Sequence, residues 1–243
     1  MLTLATITPA QAEIFAAPQG EGPSAGQVCA FIRLSRCNLA CVWCDTAYTW
    51  RFTGDTRPHT DNILYSRATN QISLSTAEAA AQIAALNQTR LVITGGEPLL
   101  QSAALARMIA LLPPHHIEIE TNGTTAATPA LDAQIHQYNV SPKLAHSGNA
   151  ASLALPPARL SAYAADPRAW FKFVIAAPND VTEVLAISAT YNIPHHRIYL
   201  MPEGRSSAAL NAKMPWLGDI CSKHGFHISD RLHIHSHGDT RGT

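Results

Sequence analysis

The chain has 243 residues, enough for one well-cored domain, and 47% of it is apolar, in short runs. Lys plus Arg and Asp plus Glu both number 17, so the formal charge is zero, without the basic excess that phosphate binding draws on, and no nucleic-acid partner is expected. No stretch of about 20 apolar residues is present to span a bilayer, and no charged-then-apolar segment opens the chain as a signal peptide would, so the sequence reads as cytoplasmic.

Residues 1–13 are weakly patterned. Residues 14–23 are rich in glycine and proline and read as a loop, in which Gly20 and Gly22 permit close backbone approach and Gln19 and Glu21 supply polar groups. Residues 29–34 are apolar and β-prone apart from Arg33, and form the first core strand; a charge in such a run needs a partner. Cys37, Cys41 and Cys44 follow directly. Residues 48–71 are polar, contain Gly54 and Pro58, and show no period, as expected of an excursion covering one mouth of a site.

Ser75-Thr76-Ala77-Glu78 is a capping box that opens an alanine-rich helix to about residue 87. A short buried strand over 91–94 ends in Gly95-Gly96-Glu97-Pro98, and a second helix runs through Leu112 to Pro113-Pro114. The unit recurs. A strand over 117–120 ends in Thr121-Asn122-Gly123-Thr124 before a short helix near 129–136, and 138–140 leads into Ser141-Pro142-Lys143. Between 145 and 169 only a short helix near 158–164 is legible. A strand over 170–175 precedes a helix from about 180 to 191, a strand over 197–200 ends in Met201-Pro202-Glu203-Gly204, a helix covers 208–223, and a strand over 226–229 closes the series. Residues 232–237 alternate as a strand would, with histidines on one face, and the tail from about residue 236 is expected to be flexible.

Strands alternating with helices imply βαβ units on a parallel sheet, here an open, partial (β/α) barrel of about six parallel strands in one domain over residues 1–243. Ligands of such sheets bind outside the carboxyl ends of the strands, where most of the unusual polar clusters fall. Of the five cysteines, three lie within the eight residues 37–44, which is no disulfide framework. Cys29 and Cys221 read as small buried hydrophobes. The three clustered thiolates, spaced by three residues and then two, suit one corner of an iron–sulfur cubane. Such clusters normally take four cysteines, so one iron stays open to chelate a small molecule. The alternative is a zinc knuckle completed by a distant histidine.

Cys37-x-x-x-Cys41-x-x-Cys44 resembles the cluster loop of the radical S-adenosylmethionine (SAM) superfamily, and Gly95-Gly96-Glu97-Pro98 at a strand end resembles that superfamily's contact to the SAM amino group. A closer resemblance is to the 7-carboxy-7-deazaguanine synthase family of the queuosine and deazapurine pathway. It rests on Gln19-Gly20-Glu21-Gly22, Phe31-Ile32-Arg33-Leu34, Cys41-Val42-Trp43-Cys44-Asp45-Thr46, Thr94 to Pro98, Glu120 to Thr124, Val140 to Leu144, and Leu232-His233. The resemblance implies a [4Fe–4S] cluster on Cys37, Cys41 and Cys44, SAM as a regenerated cofactor, and Mg²⁺ with Thr46 as its protein ligand. It implies ring contraction of 6-carboxy-5,6,7,8-tetrahydropterin to 7-carboxy-7-deazaguanine with loss of ammonia, in a homodimer reduced by a donor such as flavodoxin or ferredoxin. It puts Pro18, Gln19, Gly20, Glu21, Arg33, Thr94 and His233 at the pterin. It puts Gly96, Glu97, Ser141, Pro142, Lys143, Met201, Pro202, Glu203 and Gly204 at SAM. Three positions depart from the family pattern: Pro18, which has no N–H to offer, Arg36 in place of a usual glycine, and Met201 in place of a common glutamine. Two other readings stay open: another radical SAM enzyme, such as a glycyl-radical activase, and a non-catalytic metal-binding module.

Overall fold

The computed structural model describes residues 1–243. Ten strands make one sheet: β1 (Leu2–Ala5), β2 (Ile14–Pro18), β3 (Val28–Leu34), β4 (Gln71–Leu74), β5 (Arg90–Gly95), β6 (His116–Thr121), β7 (Gln137–Val140), β8 (Ala169–Ile175), β9 (Ile198–Pro202) and β10 (His227–Ile228). Their order is β10-β9-β8-β7-β6-β5-β3-β1-β4, with β2 also paired to β3. From β3 to β10 every pairing is parallel, and helices fill most of the crossovers, among them Thr76–Ala84, Ser102–Ile109, Asp180–Tyr191 and Ser207–His224. The two ends of the sheet do not meet, so the barrel is open, as expected.

Alternation along the parallel strands explains which side chains meet. Ile32 and Leu34 of β3, Leu91 and Ile93 of β5, Ile117 and Ile119 of β6, and Phe171 and Phe173 of β8 belong to the main buried core with the helices. The positions between them belong to the opposite face. There Arg33 is in register with Thr94, Glu120 with Asn139, and Lys172 with Tyr199. That face therefore carries charged and polar side chains beside a small apolar cluster of Phe15, Cys29, Phe31 and Val92. Its lower layer is sealed: Glu118 is fully buried and accepts from Arg90 Nη2 (2.6 Å), Ser24 Oγ (2.9 Å) and Gln137 Nε2 (3.1 Å). The capping box forms as read, with Ser75 Oγ accepting from Glu78 N at 3.1 Å and Glu78 Oε2 from Ser75 N at 2.8 Å.

Four elements differ from the sequence expectation. Residues 14–18, read as part of a loop, are strand β2, antiparallel to β3; the apolar run Ile14 to Ala17 covers the edge of β3, and Phe15 stacks on Phe31 at 5.1 Å. The loop begins only at Gln19. β1 and β4 extend the sheet beyond β3 as an antiparallel pair, which their weak patterning concealed. Leu232–His237 is a short helix, not a strand, started where Leu232 N donates to Gly20 O at 3.1 Å. Beyond it the tail returns to the sheet: Arg241 lies 3.6 Å over the Tyr48 ring and donates to Thr6 O (3.1 Å) and Asn70 Oδ1 (2.9 Å).

Candidate active site

A cavity of about 420 Å³ opens at the carboxyl ends of the parallel strands, and Cys37, Cys41 and Cys44 all border it. The cysteine loop is held against the β5 turn. Gly96 N donates to Leu34 O (3.0 Å) and Glu97 N to Arg36 O (2.9 Å), with Arg36 in left-handed backbone at φ 79°. Burial pushes the thiols up, Cys37 to about 12 and Cys44 to about 11, with Cys41 raised as well. Only a strong local cation makes thiolates of such groups, and a metal centre supplies one. Amides face two of the sulfurs: Asn149 Nδ2 is 3.3 Å from Cys41 Sγ and Asn122 Nδ2 3.8 Å from Cys37 Sγ. No three His, Cys, Asp or Glu side chains close on a single ion position; thiolates that each bind a separate iron of a cubane do not have to. Cys29 and Cys221 lie off the cavity, their thiols directed to Gln27 O and His227 O.

Of the residues expected at SAM, Gly96, Ser141, Lys143 and all of Met201 to Gly204 line the cavity. Two do not. Pro142 is buried behind the loop, and Glu97 is fully buried, accepting from Leu99 N (3.0 Å), Thr121 Oγ1 (3.0 Å) and Asn122 N (2.8 Å). Burial pushes Glu97 up to about 7 against those three donors. Its task is to lock the β5 turn to the end of β6. Lys143 Nζ donates to Ser141 Oγ at 2.7 Å and sits 6.0 Å from the Trp43 ring. Every residue expected at the pterin, and Thr46, borders the same cavity.

A model of the radical SAM superfamily matches residues 31–147. The chain is 35% identical over 233 residues to the 7-carboxy-7-deazaguanine synthase of Pyrobaculum aerophilum, covering 95% of each. The chain belongs to the 7-carboxy-7-deazaguanine synthase family. The enzyme of that name from Hyperthermus butylicus is 34% identical over 91% of this chain and 90% of its own. Among solved structures, QueE from Escherichia coli superposes with a TM-score of 0.65 at 25% identity, over 95% of both chains.

Within this radical SAM frame the structure brings in residues to which the motifs assigned no role. Glu120 faces the cavity and accepts from Thr94 Oγ1 (2.7 Å) and Gln19 Nε2 (3.1 Å). Lys172 pairs with Glu21. Arg231 donates to Glu21 Oε1 (3.0 Å) and Gly204 O (2.5 Å) and pairs with Asp45. Burial works against the Glu21 carboxylate, but Lys172 and Arg231 outweigh it and hold the acid well below the usual range; Asp45 is lowered likewise by Arg231. Burial lowers His233 and favours its neutral form. A Cβ at Gly20 would meet His233 Nδ1 at 2.2 Å, so only glycine lets that imidazole lie against the first loop. Glu120 and Lys172 had a signal in the alternations Ile117-Glu118-Ile119-Glu120 and Phe171-Lys172-Phe173. Arg231 had none.

Proposed function

We infer that this chain is a 7-carboxy-7-deazaguanine synthase, contracting 6-carboxy-5,6,7,8-tetrahydropterin to 7-carboxy-7-deazaguanine with loss of ammonia, with a [4Fe–4S] cluster, SAM and Mg²⁺ as cofactors. One observation carries the reading: the three cysteines and the Gln19-Gly20-Glu21 loop border one cavity in a chain 35% identical, end to end, to a synthase of that name.

Cys37, Cys41 and Cys44 hold the cluster, and Gly96, Ser141, Lys143 and the turn from Met201 to Gly204 receive SAM. Together these groups would supply one-electron chemistry to the cavity. Thr46 offers a hard hydroxyl oxygen to Mg²⁺, which takes few protein ligands and keeps water and substrate oxygens in its shell. The remaining residues orient the pterin. Glu120 already accepts two hydrogen bonds, and a carboxylate has lone pairs for about two more, which match the ring N–H and exocyclic amine of a 2-aminopyrimidinone. Arg33 faces the substrate carboxylate. Glu21, Lys172 and His233 close the side nearest the first loop. The segment from Tyr48 to Tyr65 and the tail from Asp239 to Thr243 limit the access of water. We read the enzyme further as a cytoplasmic homodimer reduced by a flavodoxin or ferredoxin; these points rest on the family resemblance.

The test is an anaerobic assay of the reconstituted protein with the carboxylated pterin, SAM, Mg²⁺ and a reductant, read by mass for the deazaguanine acid. Many product molecules per SAM are expected. Cleavage of SAM without that product, or one deoxyadenosine per product, overturns the reading.

A further inference from the structure

We propose that Glu13, steadied by Tyr48, is the positioning residue that aims Arg33 at the substrate carboxylate. The inference rests on the function proposed above and deepens it. Arg33 projects from β3 onto the polar face of the sheet, and Glu13 immediately precedes β2, the antiparallel neighbour of β3. Their main chains are tied, with Arg33 N donating to Glu13 O at 3.0 Å. Their side chains meet as well: Arg33 Nε donates to Glu13 Oε1 at 2.7 Å, and the Glu13 side chain is only 1% exposed. The second carboxylate oxygen, Oε2, is 2.9 Å from the Tyr48 hydroxyl, which donates to it. Tyr48 is in turn fixed between the Arg241 guanidinium at 3.6 Å and the edge of Tyr65 at 6.2 Å.

The decisive feature is which donors are used. A guanidinium has five N–H groups in a fixed plane. Glu13 takes the one on Nε, and neither Nη1 nor Nη2 has a hydrogen-bond partner in the protein. An arginine serving only to tie two strands would present its two-pronged edge to its carboxylate. Here the two terminal amino groups are left over, on a side chain that borders the cavity and is 19% exposed. That end of the fork matches a second carboxylate with two parallel hydrogen bonds. Because Nε is pinned, the plane of the fork cannot turn about its stem, and its direction is set before any ligand arrives. Burial opposes the charge on Arg33, but Glu13 outweighs it, so the guanidinium stays cationic in the cavity wall.

The test compares dissociation constants of the holoenzyme with SAM, without reductant, for 6-carboxytetrahydropterin and for tetrahydropterin lacking the carboxylate. Wild type prefers the acid, and Arg33→Ala abolishes the preference. Glu13→Gln keeps the size and an acceptor but removes the charge that fixes Nε. It is expected to cut the preference by about tenfold, the size of one lost hydrogen bond to a charged group, with the affinity for the uncharged pterin unchanged. Tyr48→Phe shifts the ratio in the same direction by a smaller factor. If Arg33→Ala loses the preference while Glu13→Gln retains the wild-type ratio, Glu13 serves only to join the strands and the inference fails. Should Glu13→Gln not fold, an unaltered ratio in Tyr48→Phe overturns it equally. A wild-type ratio in Arg33→Ala sinks instead the placement of the carboxylate at Arg33, a failure of the underlying reading.

Discussion

Gly96 has no room for a side chain, and alanine there perturbs the site directly through Cys37. A Cβ at Gly96 would lie 2.1 Å from Arg36 O, 2.6 Å from Arg36 C and 3.0 Å from Cys37 Cβ. Real Cβ atoms essentially never come nearer than 3.0 Å to such neighbours, so the cysteine loop and the β5 turn must part by about 1 Å. The two backbone hydrogen bonds that join them, at 3.0 and 2.9 Å, stretch with that shift. Overpacking costs about 1–3 kcal/mol and each weakened hydrogen bond about 1 kcal/mol. A total near 4 kcal/mol lowers the melting temperature of a domain this size by roughly 12 °C. Gly96→Ala is expected to do so in the metal-free protein and, because the shift passes to Cys37, to reduce iron incorporation and SAM affinity in the reconstituted one. Gly218 is the control: it lies inside the helix Ser207–His224, with nothing within 4 Å of an added Cβ. Gly218→Ala should raise stability by about 0.5–1 kcal/mol. A Gly96→Ala protein with wild-type melting, iron content and SAM affinity would refute the close-packing argument.

Changing Cys37, Cys41 or Cys44 to Ala should abolish cluster absorption and the EPR signal, whereas Cys29→Ala and Cys221→Ala, both away from the cavity, should keep them; loss of the signal in either of the latter refutes the ligand set. Thr46→Val should weaken the response of turnover to added Mg²⁺, and an unaltered metal dependence removes Thr46 from that site. Glu21 is a depressed acid, so its contribution to stability is present above its ordinary value of 4.5 and is lost as the pH falls below it. Glu21→Gln should therefore melt lower than wild type at pH 7, where Lys172 and Arg231 lose a partner, and should lose less on acidification; parallel melting curves against pH in the two proteins contradict the pairing.

The seven strands read between residues 29 and 229 coincide with strands of the sheet, because most are short runs with buried apolar positions ended by a turn motif, whereas the alternation over 232–237 is helical. The strands passed over are antiparallel edge or flank elements. β2 is cut short by Pro18 and Gln19, and β1 and β4 span only four residues each, too few for a period. The cysteine loop is legible because its three thiols lie within eight residues. The partners are not: Glu13 is 20 residues from Arg33, Glu120 is 101 from Gln19, and Arg231 is 210 from Glu21. The sequence shows that Arg33 needs a partner but not which; the fold supplies Glu13, since strand register decides which carboxylate lies beside it. Glu97 shows the complement: its motif is local, but the internal donors its carboxylate meets, Leu99 N, Thr121 Oγ1 and Asn122 N, are set by the fold.

Arg231 explains how segments without regular structure make one site. It reaches Glu21 in the first loop, Asp45 beside the last cysteine and the carbonyl of Gly204 in the turn after β9, three segments with no shared ladder. Its own side chain is 7% exposed, so the ion pairs are largely desolvated. Pairs of this kind add little net stability, because the cost of removing the charges from water offsets most of their attraction. What they impose is register: losing any one member leaves an uncompensated charge inside, so the three segments have one favourable arrangement in common. Lys172 completes the balance by taking the second oxygen of Glu21, which leaves two cations facing two carboxylates while His233 stays neutral beside them. The first loop, the cysteine loop and the turn after β9 are thus coupled through Arg231, contributed after the last long helix. In a sheet whose barrel does not close, the end of the chain does the work that a further strand would do in a closed one.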